Sequence, residues 1–215
     1  MHIYIKPVDV AAAAAAQERL DNLIKPKNAL GKLEDMVKTY AAVQGLSKPE
    51  ELLCDKKGII LFAAPESIDA VGLLIEQHKK LNINVVLAET PLAAMEEGAM
   101  LAQEFISCNN YEMVAIDVLD KNKLSLQAAA GAMLQAAAMN VVIMHNGVTT
   151  DKALKIAGER EKEVGNYVIG NGDVLQLPVD KVWLKAKMNF SIFDAALKCY
   201  KEMETFREAG VNLPL

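Results

Sequence analysis

The segment best suited to binding an anion combines His145, Asn146, Gly147, Thr149 and Thr150, directly after a predicted strand. A glycine followed by two threonines that open a helix offers backbone N–H groups and hydroxyls, which are donors to a phosphate. We therefore predict a phosphate- or ribose-binding loop at these five residues. The alternative is an ordinary loop in which Thr149 or Thr150 caps the helix and His145 is a hydrogen-bonded structural histidine.

A second candidate for phosphate or ribose binding is the turn formed by Gly170, Asn171 and Gly172. Two glycines around an asparagine let a ligand approach the backbone closely. The same three residues could equally form only a tight turn.

Two carboxylates, Glu66 and Glu89, follow the first and second predicted strands, and we predict them as candidate general bases. Ligands of open parallel sheets bind beyond the carboxyl ends of the strands, where these side chains could reach a substrate proton. Each could instead be a solvated or capping carboxylate. His2, His78 and His145 are too scattered for a metal site, and we expect neither a metal nor another cofactor.

The composition argues against several classes of function. The chain has 215 residues, a formal net charge of −5 and a pI near 5.3, which disfavours a surface for nucleic-acid phosphates. Cys54, Cys108 and Cys199 have neither a zinc-site spacing nor a disulfide pattern. The sequence shows no export leader and no uncharged apolar run of ~18 residues, so we expect a cytoplasmic protein with no nucleic-acid or membrane partner.

Short β-branched runs alternate with helical patterns from residue 57 onward, which is typical of a parallel sheet covered on both faces. The predicted strands span residues 58–64, 83–88, 113–118, 140–144 and 167–170. The predicted helices between them span residues 68–80, 91–107, 126–139 and 150–157. We therefore predict an α/β fold, a three-layer domain with a mostly parallel, doubly wound, Rossmann-like sheet.

The two ends of the chain are predicted to be helical. Near the N-terminus, helices are predicted at residues 9–22 and 30–44, and a third is predicted to begin near Pro49. Near the C-terminus, a helix is predicted at residues 191–208. Ser47 and Glu50 have the spacing of a capping box, which favours the start near Pro49. We predict a small helical domain from residues 1–55 and 189–215 beside a sheet domain of residues 56–188, and dimerisation through the terminal helices.

Two end motifs resemble one enzyme family. Residues 25–35 read KPKNALGKLED and residues 202–211 read EMETFREAGV. They are similar to the K-P-x-x-x-L-G-x-L-E and E-M-x-T-F-x-x-A-G-V segments of the nicotinate-nucleotide:dimethylbenzimidazole phosphoribosyltransferases. Residues 146–153 also resemble the family's D-G-(hydrophobic)-x-(S/T)-x-x-A segment, with Asn146 in place of the acidic residue. The chain is thereby identified as a short, divergent relative.

The resemblance implies transfer of ribose phosphate from nicotinate mononucleotide to a benzimidazole-like base, with a carboxylate taking the azole proton. In the family that glutamate lies in a G-E-G-S/T-G-A segment, and the corresponding residues 182–189 contain no glutamate. The ligands implied are a nucleotide and an aromatic base. The assembly implied is a homodimer, or a heteromer with a homologue. The alternative is a non-catalytic relative that binds a nucleotide, azole or corrinoid, or serves as the partner subunit of an active homologue.

Overall fold

A single sheet of five parallel strands forms the centre of the molecule, and the computed structural model describes residues 3–67, 81–169 and 182–210. The strands are β1 (Lys57–Ala63), β2 (Leu81–Val85), β3 (Met113–Val118), β4 (Val142–Met144) and β5 (Val168–Ile169). Their order across the sheet is β2-β1-β3-β4-β5. The chain therefore reverses its direction of travel between β1 and β3, as doubly wound folds do. The predicted α/β class is confirmed.

Six α-helices flank this sheet in the described part of the chain. They are α1 (Val10–Asn22), α2 (Lys32–Gln44), α3 (Pro91–Asn109), α4 (Lys123–Ala138), α5 (Val148–Arg160) and α6 (Val182–Glu202). Helices α3, α4 and α5 pack side by side, and α4 lies against the central strands. Helices α2 and α6 pack together, and α6 contacts β1 and β4. The predicted helix at residues 68–80 lies outside the described residues.

Local sequence sets most of these helix boundaries. The Thr90 side chain accepts a hydrogen bond from the Ala93 N–H, and Pro91 has the backbone angle that a first helical turn needs. Asn110 ends the same helix in the left-handed conformation, which asparagine tolerates better than most residues. None of the helices in the described ranges is long and apolar enough to cross a bilayer.

Glycines allow α3 and α4 to pack with their backbones almost in contact. A Cβ atom on Gly98 would lie 1.9 Å from the Ala128 carbonyl oxygen, and one on Gly131 would lie 1.9 Å from that of Met95. A chain that is 52% hydrophobic but only 5% aromatic must build its core from small residues at such close approaches.

The predicted third helix near Pro49 is wrong. Residues 49–51 form a turn, and residues 52–56, which have no regular secondary structure, lead into β1. The reason is tertiary: Leu52 is fully buried, the Tyr40 hydroxyl donates to the Leu53 carbonyl, and the Tyr200 hydroxyl donates to that of Ser47. These contacts hold the segment in a non-helical conformation, and the local preference of the capping-box pattern for a helix does not prevail.

The C-terminal helix also differs from the prediction of residues 191–208, because α6 begins at Val182 and ends at Glu202. Beyond it the Glu208 carboxylate accepts from the Thr205 N–H at 2.6 Å, and the Thr205 hydroxyl accepts from the Glu208 N–H at 3.2 Å. This reciprocal pair is a capping box that closes a separate turn.

The second end motif contacts the end of α1, directly before the first end motif. Leu23 and Thr205 form an antiparallel bridge, flanked by the 2.9 Å bonds Ile24 N–H to Glu204 O and Phe206 N–H to Asn22 O. Further hydrogen bonds come from the Arg19 guanidinium, which donates to the carbonyls of Tyr200 and Met203 and to the Glu208 carboxylate. The N-terminal helix thus caps the end of α6.

The terminal helices and the sheet share one buried apolar cluster, which includes Leu20, Tyr40 and Phe193 together with Ile60 and Val114. The division into a helical domain and a sheet domain stays a prediction.

Candidate functional site

A cluster of buried polar side chains lies at the carboxyl ends of β3 and β4. The carboxylate of Asp117, in β3, accepts from the Asn146 side-chain amide at 3.0 Å, from the Thr149 hydroxyl and from the Val118 N–H at 2.8 Å. Asn146 and Thr149 belong to the segment between β4 and the first turn of α5. The predicted anion-binding loop is therefore bonded directly to a carboxylate on the neighbouring strand.

Asp117 is only 1% exposed. Burial raises the pKa of its carboxyl, while the bonds from Thr149, Val118 and Asn146 and the positive charge of Lys185 act in the opposite direction. A buried carboxylate of this kind is costly to ionise, and perturbed groups of this kind are concentrated at functional sites.

Two buried residues of α6, Lys185 and Asn189, complete the cluster. The Asn189 amide donates to the His145 carbonyl at 3.1 Å and to Asn146 Oδ1 at 3.2 Å. Lys185 is buried and close enough to Asp117 to act on its charge.

His145 is held between the sheet and α5. The backbone N–H of His145 donates to the Ile169 carbonyl at 2.7 Å, and the ring Nε2 lies 2.6 Å from Asp151 Oδ1. Its Nδ1 is buried and has no hydrogen-bond partner among the described residues. The ring is thus oriented by Asp151, as a structural or a ligand-binding histidine can be.

The start of α5 is not capped by a threonine. Gly147 is the N-cap residue, with φ 131° and ψ −157°, a region that favours glycine. Thr149 donates to Asp117, and the Thr150 hydroxyl accepts from the Asn146 N–H at 3.2 Å. Because Gly147 has no side chain, no N-cap side chain accepts from the first-turn N–H groups of α5, and these remain suited to an anion.

The two predicted general bases lie elsewhere at the same end of the sheet. Glu66 is exposed in the short 3₁₀ turn after β1, where it accepts from the Asn122 amide at 3.0 Å. The same turn is held by Asp120, whose carboxylate accepts from the Ala64 N–H and the Ser67 hydroxyl. Glu89 is exposed just before α3. Neither glutamate is hydrogen-bonded to the Asp117 cluster in the described ranges.

Gly170, Asn171 and Gly172 lie outside the described residues. Within the described ranges no group of three or more His, Cys, Asp or Glu side chains could hold a metal ion.

Sequence reasoning missed Asp117, Lys185 and Asn189. Asp117 was detectable, since it is the one charged residue within the otherwise apolar strand Met113–Val118. The two α6 residues gave no comparable indication, because a lysine and an asparagine near a helix start are ordinary surface residues.

Comparison with known proteins supports the family resemblance. Residues 5–79 match a family model described as "Phosphoribosyltransferase". The nicotinate-nucleotide–dimethylbenzimidazole phosphoribosyltransferase of Chlorobaculum parvum is 38% identical over 69 residues, covering 32% of this chain and 19% of that protein. The Geobacter sp. (strain M21) protein of the same name is 41% identical over 69 residues, with the same coverage.

The fold is similar across nearly the whole chain. A crystal structure of the Thermus thermophilus enzyme of that name matches with a TM-score of 0.69 at 17% identity, covering 96% of this chain and 100% of that one. A second structure, of CobT from the same organism, matches with a TM-score of 0.68 at 16% identity, covering 95% and 100%. The resemblance drawn from the end motifs is confirmed. The family-model match includes the first end motif but ends before Asp117 and the residue 145–150 loop, where the likeness is one of fold.

Proposed function

We propose that this chain is a divergent phosphoribosyltransferase of the cobamide lower-ligand pathway. In the proposed reaction, a ring nitrogen of a benzimidazole-like base attacks C1′ of nicotinate mononucleotide. The bond from C1′ to the pyridine nitrogen breaks, nicotinate leaves with that electron pair, and the azole proton passes to a carboxylate. The product is an α-ribazole phosphate.

The observation that carries this proposal is the placement of the loop around Gly147. It opens α5 without an N-cap side chain, at the carboxyl end of the sheet, in a fold that matches solved transferases. Helix N-termini bind phosphates through their free N–H groups and the helix dipole. We assign the substrate phosphate and ribose to this loop, with His145, Asn146, Thr149 and Thr150 as contacts and Gly170, Asn171 and Gly172 as further candidates.

The general base is proposed to be Glu66 or Glu89. Glu66 lies at the point where the sheet reverses its direction of travel, between the ends of β1 and β3, which is where ligands of doubly wound folds bind. Asp117 is too buried to reach a bound azole directly. The proposed base is thus an exposed carboxylate near the cluster and not the carboxylate within it.

The experiment that tests the function is chromatographic detection of nicotinate released from nicotinate mononucleotide. It is run with and without 5,6-dimethylbenzimidazole, and with a phenolic base in a parallel arm. Release that depends on the added base supports the transferase. No release with any base, from protein shown to be folded by circular dichroism, contradicts it.

A second candidate is a non-catalytic relative that binds a nucleotide, azole or corrinoid, or partners an active homologue. The observation that favours it is the presence of Lys185 and Asn189, and no glutamate, in residues 182–189. Calorimetric titration with these ligands and with a full-length homologue tests it. Saturable binding without turnover supports this candidate, and absence of heat in every titration counts against it.

Dimerisation through the terminal helices is proposed as well. Tyr4 and Val10, at the N-terminal end of the chain, are large apolar residues that are mostly exposed in the single chain. Light scattering at micromolar concentration tests this, and a monomeric mass would contradict it.

A further inference from the structure

Asp117 connects β3 to the segment from Asn146 to Thr149 through its carboxylate. Oδ1 accepts from the Val118 N–H on β3 and from the Thr149 hydroxyl in the first turn of α5, and Oδ2 accepts from the Asn146 amide. At 1% exposure it cannot touch a ligand from solvent. Any effect that it has on binding must pass through neighbouring groups: Asn146 and Thr149, which donate to it, and Lys185, whose charge acts on it.

The bond from Asn146 to Asp117 orients the rest of that amide. With its Nδ2 donated to Asp117, its Oδ1 is left to accept from Asn189 on α6 at 3.2 Å. The Asn146 N–H is bonded to the Thr150 hydroxyl at 3.2 Å. Side chains from β3, α5 and α6 therefore fix the residue immediately before Gly147, whose positive φ sets the direction of the first N–H groups of α5.

We propose that Asp117 is the positioning residue of the anion-binding loop, holding Asn146 and Thr149 so that the N–H groups after Gly147 are arranged for a phosphate. The identity of the ligand in this inference rests on the proposed function. The conclusion that Asp117 fixes the loop does not rest on the proposed function, because it follows from the hydrogen bonds alone.

The arrangement of donors matches an ionised carboxylate. Three donors point at Asp117, and protonation turns one of its acceptor oxygens into a fourth donor. Lys185 on α6 acts on the charge of Asp117, while Asp151 on α5 is paired with His145. Since burial raises the pKa of Asp117, we expect the loop to lose order at a higher pH than an ordinary carboxyl would require.

The test compares three variants by hydrogen exchange of the peptide covering residues 145–152 and by calorimetric titration with inorganic phosphate and with nicotinate mononucleotide. Asp117→Asn removes the charge at nearly constant shape. The double variant Asp117→Asn with Asn146→Asp exchanges the two groups and keeps one carboxylate facing one amide. Asp35→Asn, on an exposed side chain of α2, is the matched control.

We expect Asp117→Asn to speed exchange in the loop about tenfold and to weaken phosphate-ligand affinity by a similar factor, as expected for a buried donor left without its acceptor. The double variant should regain most of both, and the control should match the wild type. The wild-type affinity should fall on acidification, and Asp117→Asn should lack that step. If Asp117 had only a general structural role, the double variant would not recover phosphate affinity. Nor would Asp117→Asn lose the fall in affinity on acidification.

Unchanged loop exchange in folded Asp117→Asn overturns the inference. If that variant does not fold, Thr149→Val removes one of the three bonds and should give a smaller increase, and its absence overturns the inference as well. If loop exchange rises as expected but the wild type neither binds the phosphate ligands nor releases nicotinate, the proposed function fails while the positioning role stands.

Discussion

Lys25 Nζ lies 2.8 Å from Glu34 Oε1, and the two side chains are only 6% and 4% exposed. This buried ion pair joins the first and last residues of the K-P-x-x-x-L-G-x-L-E motif across the turn between α1 and α2, and Glu34 also accepts from the Leu30 N–H at 3.3 Å. In this chain the motif closes a turn. The residues that carry the family resemblance most clearly are thus structural, whereas the candidate site lies on the sheet.

Removing one partner of this ion pair should destabilise the fold strongly. Lys25→Met leaves the Glu34 carboxylate buried without its cation, and we expect a loss of about 3–5 kcal/mol in the free energy of unfolding. Lys48→Met, which removes the exposed pair with Glu51, should cost about 0–1 kcal/mol. Urea denaturation measures both. Equal losses in the two variants would show that the Lys25 pair is not buried in solution.

The contact between α3 and α4 should not tolerate a methyl group. In Gly98→Ala the new Cβ would lie 1.9 Å from the Ala128 carbonyl oxygen, so the helices must move apart, at a cost of about 1–3 kcal/mol or more. Gly158→Ala is the matched control in α5, because no atom of the described residues lies within 4 Å of its Cβ. That variant should gain roughly 0.5–1 kcal/mol from helix propensity. A neutral Gly98→Ala, measured by thermal or urea unfolding, contradicts the close packing.

Acid stability should depend on Glu208. The bonds from the Thr205 N–H and the Arg19 guanidinium lower the pKa of this carboxyl from 4.5 to about 2. Because the folded-state pKa is the lower one, the stabilisation is complete above pH 4.5 and is lost as the pH falls towards about 2. Glu208→Gln should flatten the dependence of unfolding free energy on pH in this window. Glu50→Gln, at an exposed turn, should keep the wild-type slope.

The cysteines should differ in reactivity. Burial raises the pKa of the Cys54 thiol to about 12, while Cys108 is exposed at the end of α3. Because the thiolate is the reactive form, a thiol reagent at pH ~8 should modify Cys108 rapidly and Cys54 only after unfolding. Peptide mapping by mass spectrometry distinguishes the two, and Cys108→Ser should remove the fast phase. Rapid modification of Cys54 in the folded protein would contradict its burial.

Turnover should depend on one of the two proposed bases. Glu66→Gln or Glu89→Gln should lower kcat for base-dependent nicotinate release by about 100-fold or more, since general-base catalysis contributes on that order. The other substitution should have little effect. Active protein that is indifferent to both substitutions excludes the assignment and turns attention to other carboxylates at this end of the sheet, beginning with Asp120.

Sequence alone determined the order of the elements. Alternating apolar runs and helical patterns predicted five strands close to their observed bounds, because strands buried in a parallel sheet must be almost continuously apolar. The sequence also predicted the loop from His145 to Thr150, since glycine and threonine after a strand favour a loop and a helix start through local effects. The prediction of a helix near Pro49 was wrong, because the local preference from a capping-box pattern is weaker than the stabilisation from burying Leu52.

Only the tertiary structure decided which polar groups meet. Asp117, Asn146 and Asn189 are far apart along the chain, and their bonds depend on the register of β3 with β4 and on where α6 crosses the sheet. Likewise Leu23 and Thr205 belong to separate parts of the sequence until the chain ends pair. A local pattern fixes backbone geometry within a few residues, whereas long-range contacts depend on how whole elements bury their apolar faces.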